Sequence, residues 1–86
     1  MSRHAPGSVG FMQDAAARVF ADAGIDTPRL DARLIMAHGL QRDTGWLIGY
    51  PEAELTTAQS SHLEALISRR AAREPLAYIL GRKEFW

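Results

Sequence analysis

Five basic side chains near the end of the sequence are the residues best suited to bind another molecule: Arg69, Arg70, Arg73, Arg82 and Lys83. Guanidinium groups pair with carboxylates and phosphates, so this cluster is able to bind an acidic protein surface or a nucleic acid. The same residues also suit a solvated helix end, where cations offset the negative end of the helix dipole. We keep both interpretations and predict Arg69, Arg70 and Arg73 as the residues that contact a partner.

The other chemically capable residues form no catalytic or metal-binding pattern. His4, His38 and His62 lie far apart, and none has a second ligand three or four residues away. Ser60 and Ser61 precede His62, but neighbouring residues on a helix point in different directions. The sequence also lacks a glycine-rich phosphate loop and the G-x-S-x-G and H-E-x-x-H motifs. We therefore predict no catalytic residue, no cofactor-binding residue and no metal ligand.

Three aromatic residues are candidates for an interface. Trp46 and Tyr50 could anchor a partner, since such aromatics carry much of the energy of many interfaces. We favour the alternative, in which both pack the short helix that carries them against the rest of the protein. Tyr78 is expected in the core or in an interface between domains, without a catalytic role.

Length and composition restrict the class of protein. Eighty-six residues are enough for one domain, and 47% apolar with 23% charged residues is typical of a globular chain. Ten basic and ten acidic residues give zero net charge, which argues against a dedicated nucleic-acid binder. The absence of cysteine excludes disulfides and thiolate chemistry. No membrane-spanning run or secretory signal is present, so the cytoplasm is the expected compartment.

Helix signals recur along the chain and predict a small all-α bundle of about five helices. Residues 1–7 are expected to form a flexible tail. Capping residues, the Thr56–Gln59 capping box, prolines and glycines then mark the helix ends. The expected helices run from Ser8 to about Ala23, from Thr27 to Gly39, from Asp43 to Gly49, from Thr56 to about Arg73 and from Pro75 to Gly81.

Helical spacing of apolar residues predicts which faces are buried. Asp31, in the first turn of the second helix, is expected to support the structure by offsetting the positive helix end. The buried residues are expected to be Met12, Ala15, Ala16, Val19, Phe20 and Ala23 in the first helix, Leu30, Leu34, Ile35 and Ala37 in the second, and Leu63, Leu66, Ile67 and Ala71 in the fourth.

The sequence ends on two large aromatic residues, Phe85 and Trp86. Burying a side chain of this size stabilises a protein by about 1.5–3 kcal/mol, so such a pair is expected to pack against something. We interpret residues 82–86 as the truncated start of a connection to a further domain. Both rings are expected either to lack order or to be buried by folding back or by a neighbouring chain.

Three segments resemble the release-factor glutamine methyltransferases (the HemK/PrmC family), and they occur in the family's order. The last segment is similar to the signature E-P-x-x-Y-x-x-G-x-x-E-F-W/Y, and the earlier ones to S/T-P-x-x-D-A-x-x-L and L-T-x-x-Q…L-x-x-L-x-x-R-R. The matching residues are Thr27–Ile35; Leu55, Thr56, Gln59, Leu63, Leu66, Arg69 and Arg70; and Glu74–Gly81 with Glu84–Trp86.

The resemblance implies that residues 8–81 form the helical substrate-recognition domain, leading into a missing Rossmann-like methyltransferase domain. Members of the family methylate the glutamine of the Gly-Gly-Gln motif in peptide-chain release factors, with S-adenosylmethionine as methyl donor. The implied partners are therefore a release factor and the protein's own methyltransferase domain. The junction between the domains would include Pro75, Tyr78, Gly81, Glu84, Phe85 and Trp86.

The catalytic motifs of that family, a glycine-rich cofactor loop and Asn-Pro-Pro-Tyr, are not in this sequence. The resemblance consequently assigns no catalytic or cofactor residue here and implies that the chain is inactive alone. Two other interpretations remain open. One is a stand-alone helical adaptor that binds another protein. The other is a helix-turn-helix DNA-binding protein, which the zero net charge disfavours.

Overall fold

The computed structural model describes residues 3–81, which form five α-helices and no β-strand. An isolated antiparallel bridge joins Ser8 to Glu54. The predicted all-α architecture is confirmed. The helices are α1 (Val9–Asp22), α2 (Pro28–Leu40), α3 (Thr44–Gly49), α4 (Thr57–Ala71) and α5 (Leu76–Leu80).

Side chains cap three helices as the sequence predicts. The Thr56 hydroxyl accepts a hydrogen bond from the Gln59 backbone N–H at 3.0 Å, and the Gln59 side chain accepts one from the Thr56 N–H at 2.8 Å. Ser8 and Asp43 each accept a bond from the backbone N–H three residues ahead. These bonds satisfy N–H groups that have no partner within the helix, so they fix where α1, α3 and α4 begin.

The start of α2 differs from the prediction. The Thr27 hydroxyl caps no backbone group and instead donates to the Asp31 carboxylate at 2.9 Å. Pro28 occupies the first position, where its missing N–H leaves no donor unsatisfied. Thr27 is therefore the N-cap residue at the predicted start of the helix, but its side chain makes no capping hydrogen bond.

The predicted end of α2 at Gly39 is also wrong. The helix continues to Leu40 and ends at Gln41, which adopts the left-handed conformation with φ of 56°. Gly39 lies inside the helix at a point where α4 packs closely against it, and a Cβ at this position would overlap the side chain of Leu63. The glycine thus serves close helix packing rather than termination.

Two apolar clusters form the core, and α2 contributes to both because it packs against α1, α3, α4 and α5. One cluster joins α1, α2, α4 and α5, and the other joins α1, α2, α3 and α4. Their buried members are Ala16, Phe20, Ile25, Ala32, Ile35, Leu66 and Ile79 in the first, and Val9, Met36, Leu47 and Leu63 in the second.

Two residues predicted to be buried, Val19 and Leu30, are exposed. In α2 the buried face includes Asp31 together with Ala32, Ile35 and Met36. Successive helical residues are about 100° apart, so burying Asp31 turns its neighbour Leu30 toward solvent. Apolar spacing predicted the buried Ile35 and the half-buried Leu34 and Ala37, but it placed Leu30 incorrectly because it gave no weight to a buried carboxylate.

The segment predicted as a flexible tail makes several contacts where it is described, over residues 3–7. The Gly7 carbonyl accepts a bond from the Leu55 N–H at 2.9 Å, and the His4 ring pairs with the Glu52 carboxylate. The boundaries at residues 7 and 81 remain predictions. Within residues 3–81 no helix has both the length and the apolar character needed to cross a membrane.

Candidate partner-binding surfaces

Arg70 joins three helical elements through its guanidinium group. Its Nε donates to the Asp31 carboxylate on α2 at 2.9 Å, and its Nη1 donates to the Glu74 carbonyl before α5 at 2.8 Å. Only 19% of the Arg70 side chain and 4% of the Asp31 side chain are exposed. The second oxygen of Asp31 accepts the Thr27 hydroxyl, so both oxygens have partners. Asp31 therefore supports the structure, as predicted, but through a partner 39 residues away.

Arg69 forms a two-pronged ion pair at the surface. Its Nε donates to Glu74 Oε1 at 2.9 Å, and its Nη2 contacts the other carboxylate oxygen. The hydrogen bond from Arg69 lowers the pKa of the Glu74 carboxyl, and the same bond raises the pKa of Arg69. Since this pair is exposed, the Arg69 guanidinium stays accessible from solvent.

Arg73 ties the ends of two helices together. It adopts the left-handed conformation with φ of 72° after α4, and its Nη1 donates to the Ala23 carbonyl at the end of α1. All three predicted partner-binding arginines thus make bonds within the domain. Arg70 is largely buried, whereas Arg69 and Arg73 are exposed. A role in binding a partner stays a prediction for these residues.

The predicted domain junction is described only in part. Pro75 precedes α5, and Gly81 ends it in the left-handed conformation with φ of 65°. Tyr78 is 73% exposed, whereas its neighbour Ile79 is buried in the core. Tyr78 is therefore not a core residue, and its role in a domain interface stays a prediction. The predicted junction residues Glu84, Phe85 and Trp86, and with them the prediction about the two rings, lie outside the described residues.

The aromatic residues of α3 divide between core and surface. Trp46 is half-buried against the second core cluster, which confirms its predicted packing. Tyr50 is exposed, so its predicted packing against the bundle is wrong. The two rings contact each other, with centroids 5.3 Å apart, and the Arg42 guanidinium lies 4.9 Å from the centroid of Trp46.

A second group of arginines, which the sequence analysis did not single out, lines a cavity between α1 and α2. The cavity has a volume of about 570 Å³. No local pattern identifies the group, because its members come from the N-terminal segment and two different helices. They are Arg3, Arg18, Arg29 and, in an adjoining cavity, Arg33.

Comparison with known proteins assigns the domain to a family. Residues 12–81 match the PrmC N-terminal domain. The chain belongs to this family. The match contains all of the predicted segments except Glu84–Trp86, and the resemblance stated from the sequence is confirmed. No solved structure matches the chain significantly.

Curated relatives of this PrmC N-terminal domain are much longer proteins. The release factor glutamine methyltransferase of Coxiella burnetii is 48% identical over 60 residues, covering 70% of this chain and 22% of the relative. The enzyme of the same name from Vibrio cholerae is 40% identical over 72 residues, covering 84% and 25%. A bifunctional methyltransferase of Rickettsia bellii is 38% identical over 63 residues, covering 73% and 11%. The chain thus spans a quarter or less of these relatives.

Proposed function

We propose that this PrmC N-terminal domain recognises peptide-chain release factors for an S-adenosylmethionine-dependent methyltransferase that modifies the glutamine of their Gly-Gly-Gln motif. The observation that carries the proposal is the family match over residues 12–81, together with relatives named release factor glutamine methyltransferase. The cytoplasm, where translation takes place, is the corresponding compartment.

The proposal separates recognition from chemistry. The sequence carries neither a glycine-rich cofactor loop nor an Asn-Pro-Pro-Tyr motif, and the chain spans a quarter or less of the relatives named release factor glutamine methyltransferase. Methyl transfer and S-adenosylmethionine binding are therefore assigned to a separate methyltransferase domain. Modifying one side-chain nitrogen in a large protein requires that the substrate be held in a fixed orientation. A helical domain that binds a remote part of the release factor would supply this orientation and part of the selectivity.

The α4–α5 end of the domain is our proposed position for both contacts. The exposed Tyr78 ring, between Pro75 and Gly81, would face the methyltransferase domain. The exposed guanidinium groups of Arg69 and Arg73 would contact the release factor. Arg70 would position these residues, because its bond to Asp31 holds α4 against α2.

The test is binding of the 86-residue chain to a purified release factor, measured by calorimetry. The informative variant is the double charge reversal Arg69→Glu/Arg73→Glu, with Arg70 retained. Reversing Arg70 as well would place a carboxylate against the buried Asp31, and any loss of binding would then reflect unfolding. The single reversal Arg42→Glu on α3 is the control for a general change of surface charge.

We expect the chain to bind the release factor, the double variant to bind more weakly, and the chain alone to transfer no methyl group. Methyl transfer by this chain would refute the assignment of chemistry to a separate domain. Failure of the wild-type chain to bind any release factor would refute recognition and favour the adaptor interpretation. Unchanged binding by the double variant would place the contact surface elsewhere on the domain.

A further inference from the structure

Four arginines line a polar groove between α1 and α2, which we call the arginine groove: Arg3, Arg18, Arg29 and Arg33. Its main cavity of about 570 Å³ is large enough for several side chains of a partner. The described lining residues include one carboxylate, Asp14, so positive charge predominates here although the whole chain is neutral.

The arginines of the groove differ from Arg69 and Arg70 at the end of α4 in their bonding within the described residues. None of the four forms an ion pair with another residue of the described part of the chain, whereas Arg69 and Arg70 both do. Arg29 and Arg33 lie four residues apart on α2, where like charges destabilise a helix. All four side chains are exposed. Their guanidinium groups are therefore available to carboxylates from outside the domain.

An apolar surface adjoins the arginine groove. Arg33 also borders a second cavity of about 250 Å³, which is lined by the apolar residues Leu47, Ile48 and Pro51 and by the polar residues His4, Gln13 and Asp14. Ile48 is 76% exposed, the highest value among the exposed large apolar residues of the described chain. A ligand that follows the groove past Arg33 would therefore meet an apolar contact next to the positive charges.

We propose that the arginine groove binds an acidic segment of a protein partner, with carboxylates on the arginines and an apolar side chain against Ile48. Arginine suits this role because its planar fork pairs with a carboxylate through two hydrogen bonds. This inference concerns the chemistry of the groove and holds whether or not the partner is a release factor.

Nucleic acid fits the same groove less well. Its affinity depends on a large excess of positive charge, but this chain has none overall and Asp14 lies within the groove. Single strands also require aromatic side chains on which bases stack, and no Phe, Tyr or Trp is among the described lining residues of these cavities. An acidic protein segment needs neither feature.

The test uses the 86-residue chain and labelled twelve-residue peptides in fluorescence anisotropy titrations. One peptide repeats Glu-Glu-Leu, a second replaces each Glu by Gln, and a single-stranded DNA of twelve nucleotides serves as the alternative polyanion. The informative variant is Arg29→Gln/Arg33→Gln. Arg42→Gln, on the Trp46 ring, is the control for a lost surface charge outside the groove. Circular dichroism establishes that each variant is folded.

We expect the Glu peptide to bind and the Gln peptide not to bind. The double variant should raise the Kd for the Glu peptide by roughly five- to twenty-fold, since each exposed charge pair contributes a few-fold to affinity. Arg42→Gln should leave this Kd nearly unchanged. Raising the salt concentration from roughly 50 mM to 500 mM should also weaken binding.

Four results would overturn the proposal. They are equal binding of the Gln peptide, an unchanged Kd in the double variant, tighter binding of the DNA than of the Glu peptide, and no binding of the Glu peptide at roughly 1 mM. Ile48→Ser tests the apolar contact separately. This variant should weaken binding of the Leu-containing peptide by a few-fold and leave binding of a peptide with Ser in place of Leu unchanged.

Discussion

Replacing Arg70 by methionine should destabilise the domain strongly, because it removes the cation that faces the buried Asp31 carboxylate. Removing one member of a fully buried ion pair costs about 3–5 kcal/mol. Because 19% of the Arg70 side chain is exposed, we expect a smaller loss of about 2–3 kcal/mol in the free energy of unfolding. Methionine retains much of the apolar stem, so the loss reports on the guanidinium group rather than on packing. For a domain of this size, the corresponding decrease in Tm is about 10–20 °C.

The assay is thermal and urea unfolding followed by circular dichroism. Arg69→Met is the matched control, since it changes the adjacent residue of the same helix but breaks an exposed ion pair. Its Tm should stay close to that of the wild type. The double variant Asp31→Asn/Arg70→Met completes a mutant cycle and should lose less stability than the sum of the two single changes, because the carboxylate no longer needs a cation. Equal Tm values for the two methionine variants, together with additive effects in the cycle, would refute the argument.

Three further predictions test local features of the fold. Gly39→Ala should lower the free energy of unfolding, measured by urea titration, by about 1–3 kcal/mol, because the new Cβ overlaps the Leu63 side chain of α4. The control Gly49→Ala places its Cβ in open space and should be neutral or slightly stabilising. Thr56→Ala removes the capping box of α4 and should cost about 1 kcal/mol by urea unfolding. The pKa of Glu74 in the folded state is lower than its ordinary value of 4.5. The ion pair with Arg69 therefore stabilises the protein above pH 4.5, and this stabilisation is lost as the pH falls through the pKa of Glu74 in the folded state. Arg69→Met should therefore flatten the dependence of Tm on pH in this acidic range, and an unchanged slope would contradict the assignment.

Features of the fold that depend on residues close in sequence were predictable. The capping box joins Thr56 to Gln59 across three residues, and Pro28 marks a helix start by its own geometry. Rotation of the helices about their axes was less predictable, because it depends on contacts distant in sequence. Leu30 is exposed because Asp31 beside it is buried against Arg70, and nothing near Leu30 in the sequence signals that pair.

Candidate binding residues were harder to predict for the same reason. Counting charges along the chain singled out Arg69, Arg70 and Arg73, which are close in sequence. The structure gives each of these side chains a bond within the domain. The arginines of the groove, which form no ion pair within the described residues, come from the N-terminal segment and two helices and meet only when α1 packs on α2. Clustering in sequence therefore identified arginines that bond within the domain, whereas clustering in space identifies the arginine groove.

The arginine groove and α5 are joined through α2, and this connection has a consequence for function. α2 carries two groove arginines on its surface, and between them in sequence it carries Asp31, which holds Arg70. Arg70 in turn binds the Glu74 carbonyl at the start of α5. A partner held in the groove would thus keep a fixed orientation relative to α5, where we propose that the methyltransferase domain attaches.

Breaking this link with Arg70→Met should accelerate hydrogen exchange in α5 (Leu76–Leu80) more than in α1, because α5 has only five residues and depends on tertiary contacts. Equal acceleration in both helices would show that Arg70 stabilises the whole domain without orienting α5 in particular.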